Sequence, residues 1–164
     1  IKNLQSFYKP SDETFMSINM VTLIDEVLLV VGKLCRNKRI IIHKKYGVCD
    51  PSFEGIEDQI KQVLLNVFQN AIDSISDGGE ITLSLASVSK EIILEIQDTG
   101  SGIEKENQKY IFDPFYTTKG KEGTGLGLSV SYGIIKKHGG YIKIDSEPNI
   151  GSTITLVFPK RRKL

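Results

Sequence analysis

A two-layer α/β sandwich, with a mixed and mostly antiparallel sheet carrying its helices on one face, is the fold class that three features of the sequence predict. Three stretches repeat apolar residues at three- and four-residue spacing. Six shorter ones alternate apolar and polar side chains or are β-branched. Four of these six form two pairs joined by a tight turn, with no helix between them. Few strand–helix–strand crossovers mean few parallel strand pairs.

The elements follow in order. Residues 1–10 place Ile1, Leu4 and Phe7 at helical spacing and stop at Pro10, so they predict the last turns of a helix whose body lies before them. Residues 15–20 alternate Phe15, Ser17 and Asn19 against Met16, Ile18 and Met20, a short strand. Residues 21–37 are apolar at helical spacing and end in a basic turn, which suits the negative end of a helix. Residues 39–46 are β-branched and short, hence a strand, with His43 as a strand residue. Residues 56–77 then sort into two faces. Ile56, Ile60, Val63, Leu64, Val67, Phe68, Ala71, Ile72 and Ile75 make one buried stripe, and Asn66, Asn70 and Asp73 make a narrow polar one beside it.

After the DGG turn at 77–79, residues 80–88 and 91–97 alternate as a hairpin. The stretch 111–124 has no usable period. Residues 125–138 become helical, with Leu126, Val130, Ile134 and Ile135 on one face and Gly139 and Gly140 closing a basic end. Residues 141–146 and 152–158 form a final hairpin, and 160–163 (KRRK) a solvated overhang.

Composition bounds the function. At 164 residues and 40% hydrophobic, the chain fills one core and is short for two. Its 21 basic against 20 acidic residues give no electrostatic case for nucleic acid or an anionic membrane, and no apolar run approaches the roughly 20 residues that cross a bilayer. Cys35 and Cys49 lack C-x-x-C spacing and fit two free thiols in a reducing cytoplasm. With only His43 and His138, a His-rich zinc site is not expected.

Two Asn one turn apart are unusual within a helix, because the amide competes for backbone hydrogen bonds. Two readings stand: a solvated face, or oxygen ligation of a hard cation such as Mg²⁺ beside substrate phosphates. Glycines recur in DTGSGI at 98–103 and in GKEGTGLGLS at 120–129, where Gly123, Gly125 and Gly127 open a helix. Backbone can approach a ligand closely there, and a helix N-terminus favours an anion. Neither stretch fits a P-loop, since position 115 is Phe, nor the dinucleotide fingerprint.

NVFQNAID, DTGSGI, IFDPFYTTKG and GTGLGLS, in this order and at these separations, resemble the N box, first glycine box, F box and second glycine box of the catalytic ATP-binding domain of sensor histidine kinases. The resemblance spans 15–159, and IKNLQSFYKP is similar to the end of the dimerisation and phosphotransfer hairpin that precedes that domain. It divides the chain into 1–10 (hairpin end), 11–160 (catalytic ATP-binding domain) and 161–164 (tail). It implies the Bergerat fold, shared with the ATPase domains of gyrase, heat-shock protein 90 and MutL.

The resemblance also implies roles. Asn70 is similar to the Asn whose side-chain oxygen ligates Mg²⁺, and Asn66 borders the same phosphates; the two form the catalytic pair. Asp98 matches the Asp that accepts a hydrogen bond from the adenine amino group, a choice that suits an acceptor-only carboxylate. Gly100 and Gly102 turn the chain beneath the base, and Ile103, Ile72 and Phe112 supply apolar surface to it. Residues 112–123 resemble an ATP lid anchored by Phe115 and Tyr116, with Thr117 and Thr118 within it and Lys119 as a candidate phosphate contact. Gly123, Thr124, Gly125, Leu126, Gly127 and Leu128 match the phosphate clasp, and Ser152 backs the adenine through a water.

Where the hydrolytic relatives carry a water-activating Glu, this chain has Asn66. A carboxamide takes no proton at neutral pH, so phosphoryl transfer is favoured over hydrolysis. Asp73 stands where many sensor kinases have a basic residue, and in this the chain resembles the nitrogen-sensor type, which has the same Asp. The implied activity is that of a protein-histidine kinase, with ATP and Mg²⁺ as cofactors. The acceptor His would lie on an upstream phosphotransfer domain, a response regulator would be the onward partner, and the full-length protein would be a homodimer. The domain is expected in the cytoplasm, without membrane contact of its own, whether the whole protein is cytoplasmic or anchored in the inner membrane. The rival readings are a stand-alone ATPase and a degenerate module that only binds nucleotide.

Overall fold

A computed structural model describes residues 14–47, 50–117 and 123–161. The helix end expected at 1–10, Cys49, and Thr118 and Lys119 lie outside these residues, as does most of the 161–164 tail. The elements run β1 (Met16–Asn19), α1 (Met20–Asn37), β2 (Ile40–Tyr46), β3 (Ser52–Gly55), α2 (Glu57–Ser74), β4 (Gly79–Val88), β5 (Glu91–Asp98), α3 (Lys105–Gln108), α4 (Gly127–Lys137), β6 (Tyr141–Glu147) and β7 (Gly151–Pro159). Two elements were not anticipated. β3 offers four residues with one fully buried side chain, Phe53, too few for an alternation to register. α3 (KENQ) is wholly polar.

The main sheet has the order β2-β4-β5-β7-β6. Only β2–β4 is parallel, connected through α2, and both expected hairpins are present. β1 and β3 pair antiparallel as a separate ribbon. Alternation sorts the sheet: Ile81, Leu83, Leu85, Ile92, Leu94, Ile96, Ile154, Leu156 and Phe158 are buried in one cluster with the helices, while Glu95 and Gln97 face water. The helices contribute their stripes to that cluster, Met20, Leu23, Ile24, Val27 and Val31 from α1 and Ile60, Val63, Leu64, Val67 and Phe68 from α2. Cys35 is a free, buried thiol, and burial pushes its pKa up, away from thiolate reactivity.

α2 positions the site, and its ends are tied down from elsewhere in the chain. It ends at Ser74, three residues before the predicted end, because Ile75 turns extended to feed β4. No basic residue occupies its last turn. The Lys38 ammonium, at the end of α1, donates instead to the Ile72 and Ile75 carbonyls, each at 2.8 Å. At the other end, the Ile56 N–H donates to His138 Nε2 (3.0 Å), so the ring proton sits on Nδ1, 2.7 Å from the Ile134 carbonyl. His138 is thus a neutral, 2%-exposed link between α2 and α4. His43 lies on β2 with Nε2 3.3 Å from Glu80.

α4 begins at Gly127, two residues later than its apolar period suggests. Gly125 adopts φ +66° and its carbonyl accepts from the Phe115 N–H (2.9 Å), which keeps it out of the helix.

Candidate nucleotide site

Between α2, the end of β5, β7 and the start of α4 lies a cavity of about 530 Å³, within the range of small-molecule sites. One wall is the polar stripe of α2. Asn66, Asn70 and Asp73 all line it, joined by Gln69 and Ser74. Gln69 Nε2 donates to Asp73 Oδ1 at 2.6 Å. Ser74 continues the four-residue spacing of Asn66 and Asn70, a signal that the sequence carries beside the three-residue step to Asp73.

At the far end, β5 delivers Asp98, 6% exposed. Its three protein hydrogen bonds all fall on Oδ1: the Gly100 N–H at 2.8 Å, the Ser74 hydroxyl at 3.0 Å and the Ser152 N–H at 3.3 Å. Oδ2 is thereby left to the cavity. Burial raises the Asp98 pKa, and the Gly100, Ser74 and Ser152 bonds oppose that rise.

The turn after Asp98 is glycine for steric reasons. A Cβ on Gly100 would meet Ser74 Oγ at 2.0 Å, and one on Gly102, at φ +66°, would meet the Glu147 carbonyl oxygen at the same distance. Gly102 and Ile103 line the cavity; Gly100 does not, and acts through its N–H on Asp98. Ser152 also lines it, with its hydroxyl 2.8 Å from Ser146 Oγ, which in turn accepts from the Ile103 N–H at 2.8 Å.

Apolar lining comes from Ala71, Ile111, Ile144, Ile154 and Leu128. Two expectations need correction here. Ile72 is fully buried in the core, one residue around the helix from the cavity-facing Ala71. Phe112 stacks on Tyr132 (centroids 5.7 Å apart), and the cavity is lined by Ile111 beside it. In an aperiodic segment a one-residue offset carries no sequence signal.

The phosphate-clasp segment contributes Gly123, Thr124, Gly125, Gly127 and Leu128, together with Tyr116 and Thr117. Leu126 does not line the cavity and is 37% exposed. Phe115 was expected as an anchor, yet its ring is 75% exposed; the anchoring is done by its backbone, bonded to Gly125. α4 starts without a side-chain cap, leaving N–H groups of its first turn open to a ligand.

The donor set suits a nucleotide with a hard cation. A lone carboxylate oxygen can read an amino group, amide oxygens can meet Mg²⁺, and backbone N–H groups can meet phosphate. Among the described residues no group of three His, Cys, Asp or Glu is placed to hold a metal ion.

A family model described as histidine kinase-, DNA gyrase B- and HSP90-like ATPase matches residues 55–162. Sporulation kinase C of Bacillus subtilis (strain 168) is 35% identical over 152 residues, covering 92% of this chain and 35% of its own length. Sensor histidine kinase ZraS of Escherichia coli (strain K12) is 33% identical over 159 residues, 97% of this chain and 34% of its own. The chain therefore spans about a third of the length of these curated relatives. Among solved structures, the catalytic domain of histidine kinase ThkA superposes with a TM-score of 0.82 at 33% identity, covering 90% of this chain and 99% of that one. A second ThkA structure, at 29% identity and TM-score 0.77, is a complex with the response regulator protein TrrA; the match covers 89% of this chain and 42% of that one.

Proposed function

This chain belongs to the histidine kinase-, DNA gyrase B- and HSP90-like ATPase family, as a catalytic domain of the sensor histidine kinase type, and from that premise we propose that it holds Mg²⁺-ATP and presents the γ-phosphoryl group to a His outside the chain. The observation that carries this is Asp98: three protein donors converge on one carboxylate oxygen, and the other is left as an acceptor facing a nucleotide-sized cavity.

In this reading Asp98 Oδ2 accepts from the adenine amino group, and Ile103, Ile111 and Ile144 cover the ring. Ser152 backs the base. The amide groups of Asn66 and Asn70 meet the phosphate end, and the N–H groups around Gly125 and Gly127 donate to phosphate oxygens. Magnesium, bound with the nucleotide, supplies positive charge that offsets the β- and γ-phosphate oxygens. Positioning and electrostatics do most of the work in such transfers, so the chain's task is to orient the nucleotide and limit its contact with water. Asn66 takes no proton, which disfavours the ATPase alternative.

The acceptor is assigned to an upstream phosphotransfer and dimerisation domain of the whole protein, a homodimer, with a response regulator downstream. His138 is buried and bonded at both nitrogens, and His43 sits on a strand beside Glu80, so neither suits the role. No helix among the described residues is long and apolar enough to cross a membrane. The domain is assigned to the cytoplasm.

Calorimetric titration with a non-hydrolysable ATP analogue tests the reading, with and without Mg²⁺ and after Asp98→Ala. Saturable, Mg²⁺-assisted binding that the variant loses is expected, with no self-labelling from γ-labelled ATP. Steady ATP hydrolysis by the chain alone would favour the ATPase instead.

A further inference from the structure

The last turn of α2 is gripped twice, and only one grip belongs to the cavity. There Ser74 meets the segment after β5 at two points: its hydroxyl donates to Asp98 Oδ1 at 3.0 Å, and its carbonyl accepts from the Ser101 N–H at 3.0 Å. The other grip comes from the corner between α1 and β2, which lines no part of the cavity. The half-buried Lys38 ammonium donates to the Ile72 and Ile75 carbonyls, both at 2.8 Å, and so holds the chain before and after Ser74. An ammonium has three protons, enough for both. The Lys38 backbone is fixed independently, because its carbonyl accepts from the Gly78 N–H at 2.7 Å and Arg39 beside it pairs with Asp77.

The Ser74 hydroxyl has one proton and two acceptors within reach, the Ala71 carbonyl at 2.8 Å and Asp98 Oδ1 at 3.0 Å. A small shift of the last turn therefore returns that proton to the helix and leaves Asp98 with two donors. Ile75 turns extended directly after Ser74, and its N–H reaches Ile72 at a long 3.3 Å. Helical hydrogen bonding alone holds this turn weakly.

We propose that Lys38 is a positioning residue for base recognition: by pinning the last turn of α2 it keeps the Ser74 hydroxyl on Asp98, so that Oδ2 stays aimed at the amino group of the base. Lys38 touches no ligand and acts through Ser74. This rests on the nucleotide reading above.

The test is calorimetric titration, in excess Mg²⁺, with ATP and with purine riboside triphosphate, which differs only in lacking the amino group. The chains are wild type, Lys38→Met, Lys38→Arg, Ser74→Ala and the Lys38→Met/Ser74→Ala pair. The preference for ATP should fall roughly three- to tenfold in Lys38→Met, the range of one hydrogen bond, while affinity for the analogue holds. Lys38→Arg should keep the wild-type ratio, and Lys38→Met should add nothing once Ser74 is Ala.

Equal weakening of both ligands in Lys38→Met would reduce Lys38 to a stabilising contact and overturn the inference alone; so would an unchanged ratio, or a change that persists once Ser74 is Ala. Wild type that fails to bind ATP, or binds both ligands alike, would overturn the nucleotide reading and this inference with it. One measurement needs no Lys38 variant. Coupling is reciprocal, so reading the amino group must tighten the Lys38 corner. In the wild type the Gly78 N–H, which donates to the Lys38 carbonyl, should exchange its hydrogen more slowly with ATP bound than with the analogue. Equal protection would also overturn the inference.

Discussion

At the Asp98 end of the cavity the groups that would read a base are already bonded and packed, whereas around the Phe115 ring and Gly127, on either side of the tightly packed Gly125, more is left open. Asp98 is nearly buried with one oxygen held by three donors, and Gly100, Gly102 and Gly151 each leave 2.0 Å between a would-be Cβ and the atom opposite. At the other end the Phe115 ring is 75% exposed, α4 has no side-chain cap, and a Cβ on Gly127 would meet nothing closer than 3.6 Å. Strands supply the first end, and a strand's backbone is fixed by its neighbours. A helix start supplies the second, whose orphan N–H groups gain partners when a ligand arrives. Under the proposed nucleotide reading, selectivity for the base would be built in on folding and the phosphates would complete the grip.

The largest expected effect breaks the rigid end. Asp98→Asn keeps the shape but removes the charge that makes the acceptor strong, and nucleotide affinity should fall by roughly ten- to a hundredfold in calorimetry. Acid should do the same to wild type. Because burial raises the Asp98 pKa, binding should weaken as pH falls through a value above that of an ordinary Asp. Stability has the opposite sign. The folded state holds the proton more tightly than the unfolded one, so the contribution of Asp98 is most favourable below its unfolded pKa and is lost as pH rises through the folded one. Asp98→Asn should flatten both profiles.

Next comes the pair Gly102→Ala and Gly127→Ala, one from each end. The first forces a side chain into a left-handed backbone against the Glu147 carbonyl, and should cost about 1–3 kcal/mol from the backbone alone. The second meets only ordinary contacts and gains helix propensity, so urea midpoints should show no loss. Equal destabilisation would erase the contrast. Lys38→Met should lower stability by about 1–3 kcal/mol, since it leaves the Ile72 and Ile75 carbonyls without their charged donor. Its effect on binding should fall on the Ser74–Asp98 end. Phe115→Ala should change stability least, within about 0.5 kcal/mol by thermal melting, because the ring is exposed and its backbone bond to Gly125 remains.

Periodicity alone carried most of the fold. The stripes of α1 and α2, the two hairpins and the mixed sheet follow from spacings of three to four and of two, which survive in any chain that buries one face. The polar series on α2 and the glycine turns likewise marked the cavity walls in advance, because Asn within a helix and Gly beside Asp98 each break a local preference. What the chain order could not disclose are contacts between residues far apart in it. Ser74 and Ser152 meet on Asp98, Lys38 closes α2, the Gly127 carbonyl holds Asn66, and Ile111 is chosen over Phe112. A sequence determines which faces must be buried, since that depends on spacing along one element. Which oxygen of a carboxylate or which end of an amide is left for a ligand depends on donors brought in by other elements, and only packing in three dimensions decides that.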